Sequence, residues 1–270
     1  MKKVSIIIAC YNHAKFLEKS ISSALSQDYP NLEVIVANDG STDNSLEVAL
    51  KFNNIKLISH ENKGVIYTRN NAIKESKGYY ILPLDADDYL ASDDVVSKMV
   101  AKLEKEEADL ISGNFQEFGE SNKLFKAESK ESKDLLTSNH IPATSLYTKK
   151  IFNKVGGYSE KMKGGYEDWE FNIKVFNAGK IAKIDKIIFY YRIQKNSRNK
   201  DASKKAIQLF NIIVDNNKDI YSKNIVELLS YFYKKDEDSR KKAKKQKKIK
   251  KYITIFALIE LVAVIILILK

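Results

Sequence analysis

Short apolar runs that alternate with stretches of helical spacing constrain the fold of this chain more than any other feature. "VSIIIACY" has the β-branched richness of a strand buried on both faces. Helical spacing then runs from position 13 to 27, with Phe16, Leu17, Ile21, Ala24 and Leu25 on one side. "DYPN" breaks it, and "LEVIVAND" supplies a second strand. "GSTDNS" caps a helix reaching about Phe52, "IKLISHE" is a third strand, and Gly64 opens a helix ending near Ser76. The strand "GYYILPLD", the helix "ASDDVVSKMVAKLEKEE" and the strand "ADLISGNFQEF" complete the series. This order predicts an α/β fold with a mostly parallel, Rossmann-like sheet, flanking helices and right-handed crossovers.

After Lys123 the pattern loosens, with a short strand expected at "ATSLYTKK". The glycine-rich "VGGYSEKMKGGYEDWEF" leads into a helix near Tyr166, "IAKIDKIIFYYRI" gives one or two strands, and two helices follow to about Lys235. No internal repeat is present. The single cysteine, Cys10, excludes an intrachain disulfide. "IIAC" resembles a lipoprotein cleavage box, but its apolar run is too short for a signal segment and reads as strand.

The net charge of +11 is a local device, because "RKKAKKQKKIKK" at 240–251 holds most of the excess. The body before it is close to neutral, so no nucleic-acid surface is indicated. "YITIFALIELVAVIILIL" at 252–269 is apolar on every face apart from Glu260 and Thr254. As a helix it would be about 27 Å long, near the thickness of a bilayer core. The expectation is a transmembrane helix, with the basic cluster against anionic lipids and the body cytoplasmic, a single-pass C-terminal anchor in the cell membrane. Ionised at mid-membrane, Glu260 would cost roughly 2.5–3.5 kcal/mol, so it is expected protonated or facing a partner helix.

In parallel sheets ligands bind at the carboxyl ends of strands. Asp39 follows the second strand, Asp85 and Asp87 follow the fourth, and Tyr11 follows the first. A DxD triplet leaving a strand suits a hard divalent cation, which prefers oxygen ligands and can bridge carboxylate to phosphate. Alone the triplet is weak, and Asp88 could cap the next helix.

Four stretches in order, "VSIIIACYN", "VIVANDGSTDNS", "TRNNAI…GYYILPLDADDYL" and "GGYEDWEF", resemble the inverting family 2 glycosyltransferases of bacterial surface-polysaccharide type. The resemblance covers roughly residues 3 to 192 and implies the GT-A fold. The expected division is a transferase domain at 1–200, a helical extension at 201–239, the basic segment at 240–251 and the membrane helix at 252–269. The resemblance to that family also carries roles for single residues. It places Ala9 and Tyr11 against a nucleoside and Asp39 on the base, favouring uracil through its N3–H. Asp85 would reach the ribose or a metal-bound water, and Asp87 would ligate Mn²⁺ or Mg²⁺. Arg69 would hold the nucleotide or make a surface salt bridge. Asp168 would be the general base, Glu167 would orient the acceptor or its loop, and Trp169 would be either a sugar platform or core.

The chain departs from the family in one place. Relatives carry a histidine shortly after "YYR", whereas this sequence has Gln194 there, and His13, His60 and His140 lie elsewhere. The Q-x-x-R-W word of processive synthases is absent. The expected function is addition of one sugar from a UDP-sugar donor to a glycan or lipid-linked acceptor at the cytoplasmic membrane face. The alternatives are a non-catalytic, membrane-anchored sugar-nucleotide-binding protein and a phosphatase using Asp85.

Overall fold

The computed structural model describes residues 1–127, 132–194 and 204–268, the side chains of 132–133 and 248–268 excepted. The chain divides into two compact units, Met1–Ile220 and Tyr221–Lys270. In the first, β1 (Val4–Cys10), β2 (Leu32–Asp39), β3 (Lys56–His60) and β4 (Tyr80–Asp85) alternate with α1 (Ala14–Leu25), α2 (Ser45–Leu50) and α3 (Val65–Glu75). Next come β5 (Tyr89–Leu90), α4 (Val95–Lys105), β6 (Leu110–Gly119), β7 (Leu124–Phe125), β8 (Leu146–Thr148), α5 (Lys149–Val155), α6 (Glu167–Ala178) and β9 (Ile181–Ile193). The helices α7 (Ala206–Asn216) and α8 (Lys218–Lys223) follow, and α9 (Ile225–Ile268) fills most of the second unit.

The sheet is mixed, which corrects the expectation of a mostly parallel one. Among the described residues its order is β3-β2-β1-β4-β8-β6-β9-β5, with β7 on β6. β3, β2, β1 and β4 are mutually parallel, as alternation with helices requires, and β6 with β9 forms a second parallel pair. The short β8 joins the two blocks antiparallel to both β4 and β6. It lies between strands that are consecutive in the apolar series, so reading the chain in order could not place it.

The strands that read as continuous apolar runs are buried on both faces. Val4, Ile6 and Ile8 are fully buried on one side of β1 and Ile7 on the other, each stabilising the fold by roughly 1.5–3 kcal/mol. Helix α1 packs Leu17, Ile21 and Ala24 inward. Its buried face also carries Ser20, with Ser23 beside it, and the buried Gln27 follows just past its end. These bind the chain just past β4. Ser20 Oγ donates to the carbonyl of Asp85 at 3.2 Å, Ser23 Oγ accepts from the Leu90 N–H, and Gln27 bridges Ser92 O and Val96 N. The acidic turn is thereby held by a helix whose sequence looks merely amphipathic.

The expected transmembrane helix is corrected: among the described residues, no helix is long and apolar enough to cross a membrane. The 252–269 segment on which it rested lies outside the residues whose side chains are described. The localisation built on it, a C-terminal anchor with a cytoplasmic body, is withdrawn with it.

Gly78 opens β4 against β1. A Cβ there would stand 2.6 Å from both the Ser5 nitrogen and the Tyr80 carbonyl oxygen, and backbone cannot move aside cheaply. Gly78→Ala is expected to lower unfolding free energy by about 1–3 kcal/mol in urea titrations; an unchanged midpoint would contradict this packing.

Candidate active site

The site forms where β1, β2 and β4 end together. Ala9, Tyr11, Asp39, Arg69, Asp85 and Asp87 all line one cavity of about 590 Å³. Tyr11 is 45% exposed, which leaves its ring available at the rim. Asp39 is buried, and its two oxygens accept the backbone N–H groups of Lys63 and Gly64 at 2.7 and 3.0 Å. It therefore fixes the loop that opens α3. Each carboxylate oxygen has lone pairs for a further donor. The neighbouring Asp43 does the helix work, accepting from Ala14 N at the start of α1 and from Ser45 N at the start of α2.

Arg69 is buried, so it is not the surface ion pair that its sequence context also allowed. One arm of its guanidinium pairs with Asp85 and the other reaches Glu167 Oε1 at 2.9 Å. Burial opposes its charge, but Asp85 and Glu167 outweigh that and hold its pKa above the ordinary value. A planar fork from α3 thus joins the end of β4 to the start of α6.

The other carboxylates of the acidic turn are less well compensated. Burial, and then the Asp85 charge, raises the pKa of Asp87. The same two causes push Asp88 well above its usual range. Asp88 does not cap α4. It is buried and accepts the Arg192 N–H at 2.8 Å, tying the turn to β9. The Arg192 guanidinium lies over the rings of Phe16 and Phe118, at 4.0 and 4.3 Å from their centroids, and donates through Nε to the Asp87 carbonyl. Phe16 is drawn to this stack and is only half-buried.

Gln194 reaches the acidic turn as its position suggests, donating to Asp87 Oδ2 at 2.8 Å. The three histidines lie elsewhere in the sequence, but the fold brings each of them to one of the two cavities or beside Asp39. His13 lines the cavity that holds Asp87, His60 sits 3.5 Å from Asp39, and His140 lines the neighbouring cavity. His13 follows the end of β1 and His60 is the last residue of β3, so strand-end position was the signal that could have found them. The carboxylate and amide oxygens around Asp87 suit a hard cation. Among the described residues no three His, Cys, Asp or Glu side chains are grouped to hold one by protein atoms alone. Water and phosphate oxygens would have to complete such a shell.

A second cavity, of about 270 Å³, shares Arg69, Asp85 and Tyr191 with the first. Glu167 and Asp168 line it together with Tyr166, Phe115, Phe125 and Phe189. The acidic pair occupies the first turn of α6, where the N-terminal dipole favours negative charge. Burial, and then the Glu167 charge, raises Asp168 to about 6. Trp169 lines neither cavity. It is buried, donates through Nε1 to the Leu135 carbonyl at 2.6 Å and packs on Phe210, so it is placed as core and not as a sugar platform.

Fold and site define an α/β domain with a carboxylate-lined crevice opening onto a second, aromatic cavity. The model of the family Glycosyl transferase family 2 matches residues 5–170, and the chain belongs to that family. It is 28% identical over 191 residues to the glycosyltransferase GlyG of Streptococcus pneumoniae serotype 4, covering 69% of this chain and 58% of that protein. To an uncharacterized glycosyltransferase of Haemophilus influenzae it is 30% identical over 267 residues, 85% of this chain and 80% of the relative. The structure of S. aureus TarS 1–349 in complex with UDP-GlcNAc superposes with a TM-score of 0.68 at 21% identity, covering 79% of this chain and 66% of that one, which shows the shared fold. The chain spans little more than half the length of GlyG.

Replacing Arg69 would leave Asp85 and Glu167 facing each other without their cation. Arg69→Met is expected to lose about 3–5 kcal/mol of stability by chemical denaturation. Arg69→Lys should recover only part of it, since a point charge cannot span both carboxylates. Full recovery by lysine would contradict the forked bridge.

Proposed function

We propose that this chain is an inverting transferase that moves one sugar from a UDP-sugar to a hydroxyl of a glycan acceptor. The observation that carries the reading is the wall of Arg69, Asp85 and Tyr191 shared by the two cavities. One side holds groups suited to a nucleoside diphosphate, the other a carboxylate suited to a base. The lipid-linked form of the acceptor rested on the membrane helix and is not carried into the proposal.

In this reading Tyr11 and Ala9 lie against the nucleoside and Asp39 accepts from the base. Asp87 would hold a Mn²⁺ or Mg²⁺ ion, which supplies charge neutralisation for the diphosphate. Asp85 faces the ribose side, its orientation fixed by Arg69. The likeness to TarS, solved with UDP-GlcNAc, supports a uridine donor. Asp168 removes the proton from the acceptor hydroxyl as that oxygen bonds to the anomeric carbon. The bond from that carbon to the diphosphate breaks on the opposite face, and UDP leaves with the electron pair. The leaving group needs neutralised charge and no proton, so a single carboxylate base suffices. Glu167 holds Arg69, and through it the geometry between the two cavities.

Calorimetric titration with UDP, GDP, dTDP and CDP, with Mn²⁺ and then EDTA, tests the donor side. UDP is expected to bind and to be lost with EDTA or in Asp87→Ala, and binding of none of the four would remove the assignment. Asp168→Asn is expected to keep UDP affinity and lose roughly 10²–10⁴-fold in turnover; equal rates would remove the base. Because the base must be ionised, kcat should be constant above and fall below about pH 6, and a rate that rises as pH falls through that value would contradict it. Absence of all turnover alongside intact UDP binding would favour a non-catalytic sugar-nucleotide-binding protein.

A further inference from the structure

The Asp168 carboxylate is not held by α6 alone. Asn139, on the segment that follows the 3₁₀ turn Ser132–Leu136, donates from Nδ2 to Asp168 Oδ2 at 3.0 Å. The direction of the Asn139 amide is set by its other end, because Oδ1 accepts the Ile141 N–H at 3.3 Å. A flipped amide would lose both contacts. The Ile141 carbonyl in turn accepts from Asn172 Nδ2 at 3.1 Å. Asp168 and Asn172 are four residues apart and lie one above the other on α6. The hydrogen bonds therefore close a circuit that leaves α6 at Asn172, passes through Ile141 and Asn139, and returns to α6 at Asp168. Trp169 pins the same segment from the far end through the Leu135 carbonyl.

We infer that Asn139 is a positioning residue for the general base, with the 135–141 segment acting as a brace that α6 builds for its own carboxylate. The inference rests on the transferase reading for its consequence and on the circuit for its geometry. A base that takes a proton during attack must present one oxygen in a fixed direction while remaining ionised near neutral pH. The Asn139 N–H serves both needs, since it occupies Oδ2 and favours the charged form.

Other groups act on Asp168, and they oppose one another. Glu167, beside it on α6, disfavours its charge, and Arg69 on α3 favours it. The hydroxyls of Tyr158 and Tyr191 also lie within its field. His140 lines the same cavity from the brace itself. The Trp169 backbone N–H also favours the charged form, and Asn139 adds a neutral side-chain donor, so its removal changes the base without changing the net charge of the site. It is exposed, so its truncation should leave the core intact.

The test is an NMR titration of the Asp168 side-chain carboxyl carbon in the full chain, wild type against Asn139→Ala and Asn139→Asp. The wild-type midpoint is expected near 6. Asn139→Ala should raise it by roughly half to one unit, and Asn139→Asp, which sets a second carboxylate against the first, should raise it further. In turnover assays the acid limb of kcat should move with the midpoint, and the donor KM should stay at the wild-type value. Coincident titration curves for all three proteins would overturn the inference, as would a loss of kcat at every pH with no shift of the limb. Thermal unfolding shows whether a variant folds, and Asn139→Ser, which keeps a short donor, gives a second route by returning the midpoint toward wild type. A shifted midpoint in a protein with no turnover would uphold the brace and overturn the transferase reading, so the two fail separately.

Discussion

The site is organised around one buried guanidinium. Arg69 comes from the middle of α3, pairs with Asp85 at the end of β4 and reaches Glu167 at the start of α6. Without it two carboxylates would meet in a poorly solvated crevice, an arrangement costly enough to drive one of them to take up a proton. With it, the end of β4 and the start of α6, far along the chain, share a fixed spacing. The wall between the two cavities is built on that spacing.

Around this bridge the chain spends its buried polar groups on the loops that matter. Ser20 and Ser23 of α1, and Gln27 just past its end, hold the acidic turn and the chain after it. Asp39 holds the start of α3, and therefore the helix that delivers Arg69. Before α6, Tyr166 adopts a left-handed conformation (φ 62°) that non-glycine residues rarely take. It brings the Glu167–Asp168 pair out of the glycine-rich segment directly into a first turn that lines the second cavity. The local strain lies next to Asp168, where it sets the direction in which α6 starts.

Much of the frame was legible in the sequence because parallel strands buried on both faces leave a continuous apolar signature. The ends of β1, β2 and β4 pointed to Tyr11, Asp39, Asp85 and Asp87 by position, whereas Ala9 came only with the family resemblance. What remained hidden depends on contacts between distant segments. The pairing of β8 between β4 and β6 leaves no mark on a three-residue strand. Arg69 reads alike as a surface ion pair and as a buried bridge, because its partners lie 16 and 98 residues away. Asn139 falls in a stretch whose composition looks like loop, and its role exists only once α6 is placed against it. The apolar tail shows the opposite error, a strong compositional signal that the helices among the described residues do not bear out.

In the proposed transfer an acceptor oxygen, deprotonated by Asp168, attacks from the side opposite the departing diphosphate. The stereochemistry of the first-formed product tests it most directly. Proton NMR of the anomeric signal, followed from the first turnovers with an α-linked UDP-sugar, is expected to show the β-configured product before any mutarotation. An α-configured first product would mean retention, and would contradict a single base acting across the wall that Arg69 holds in place.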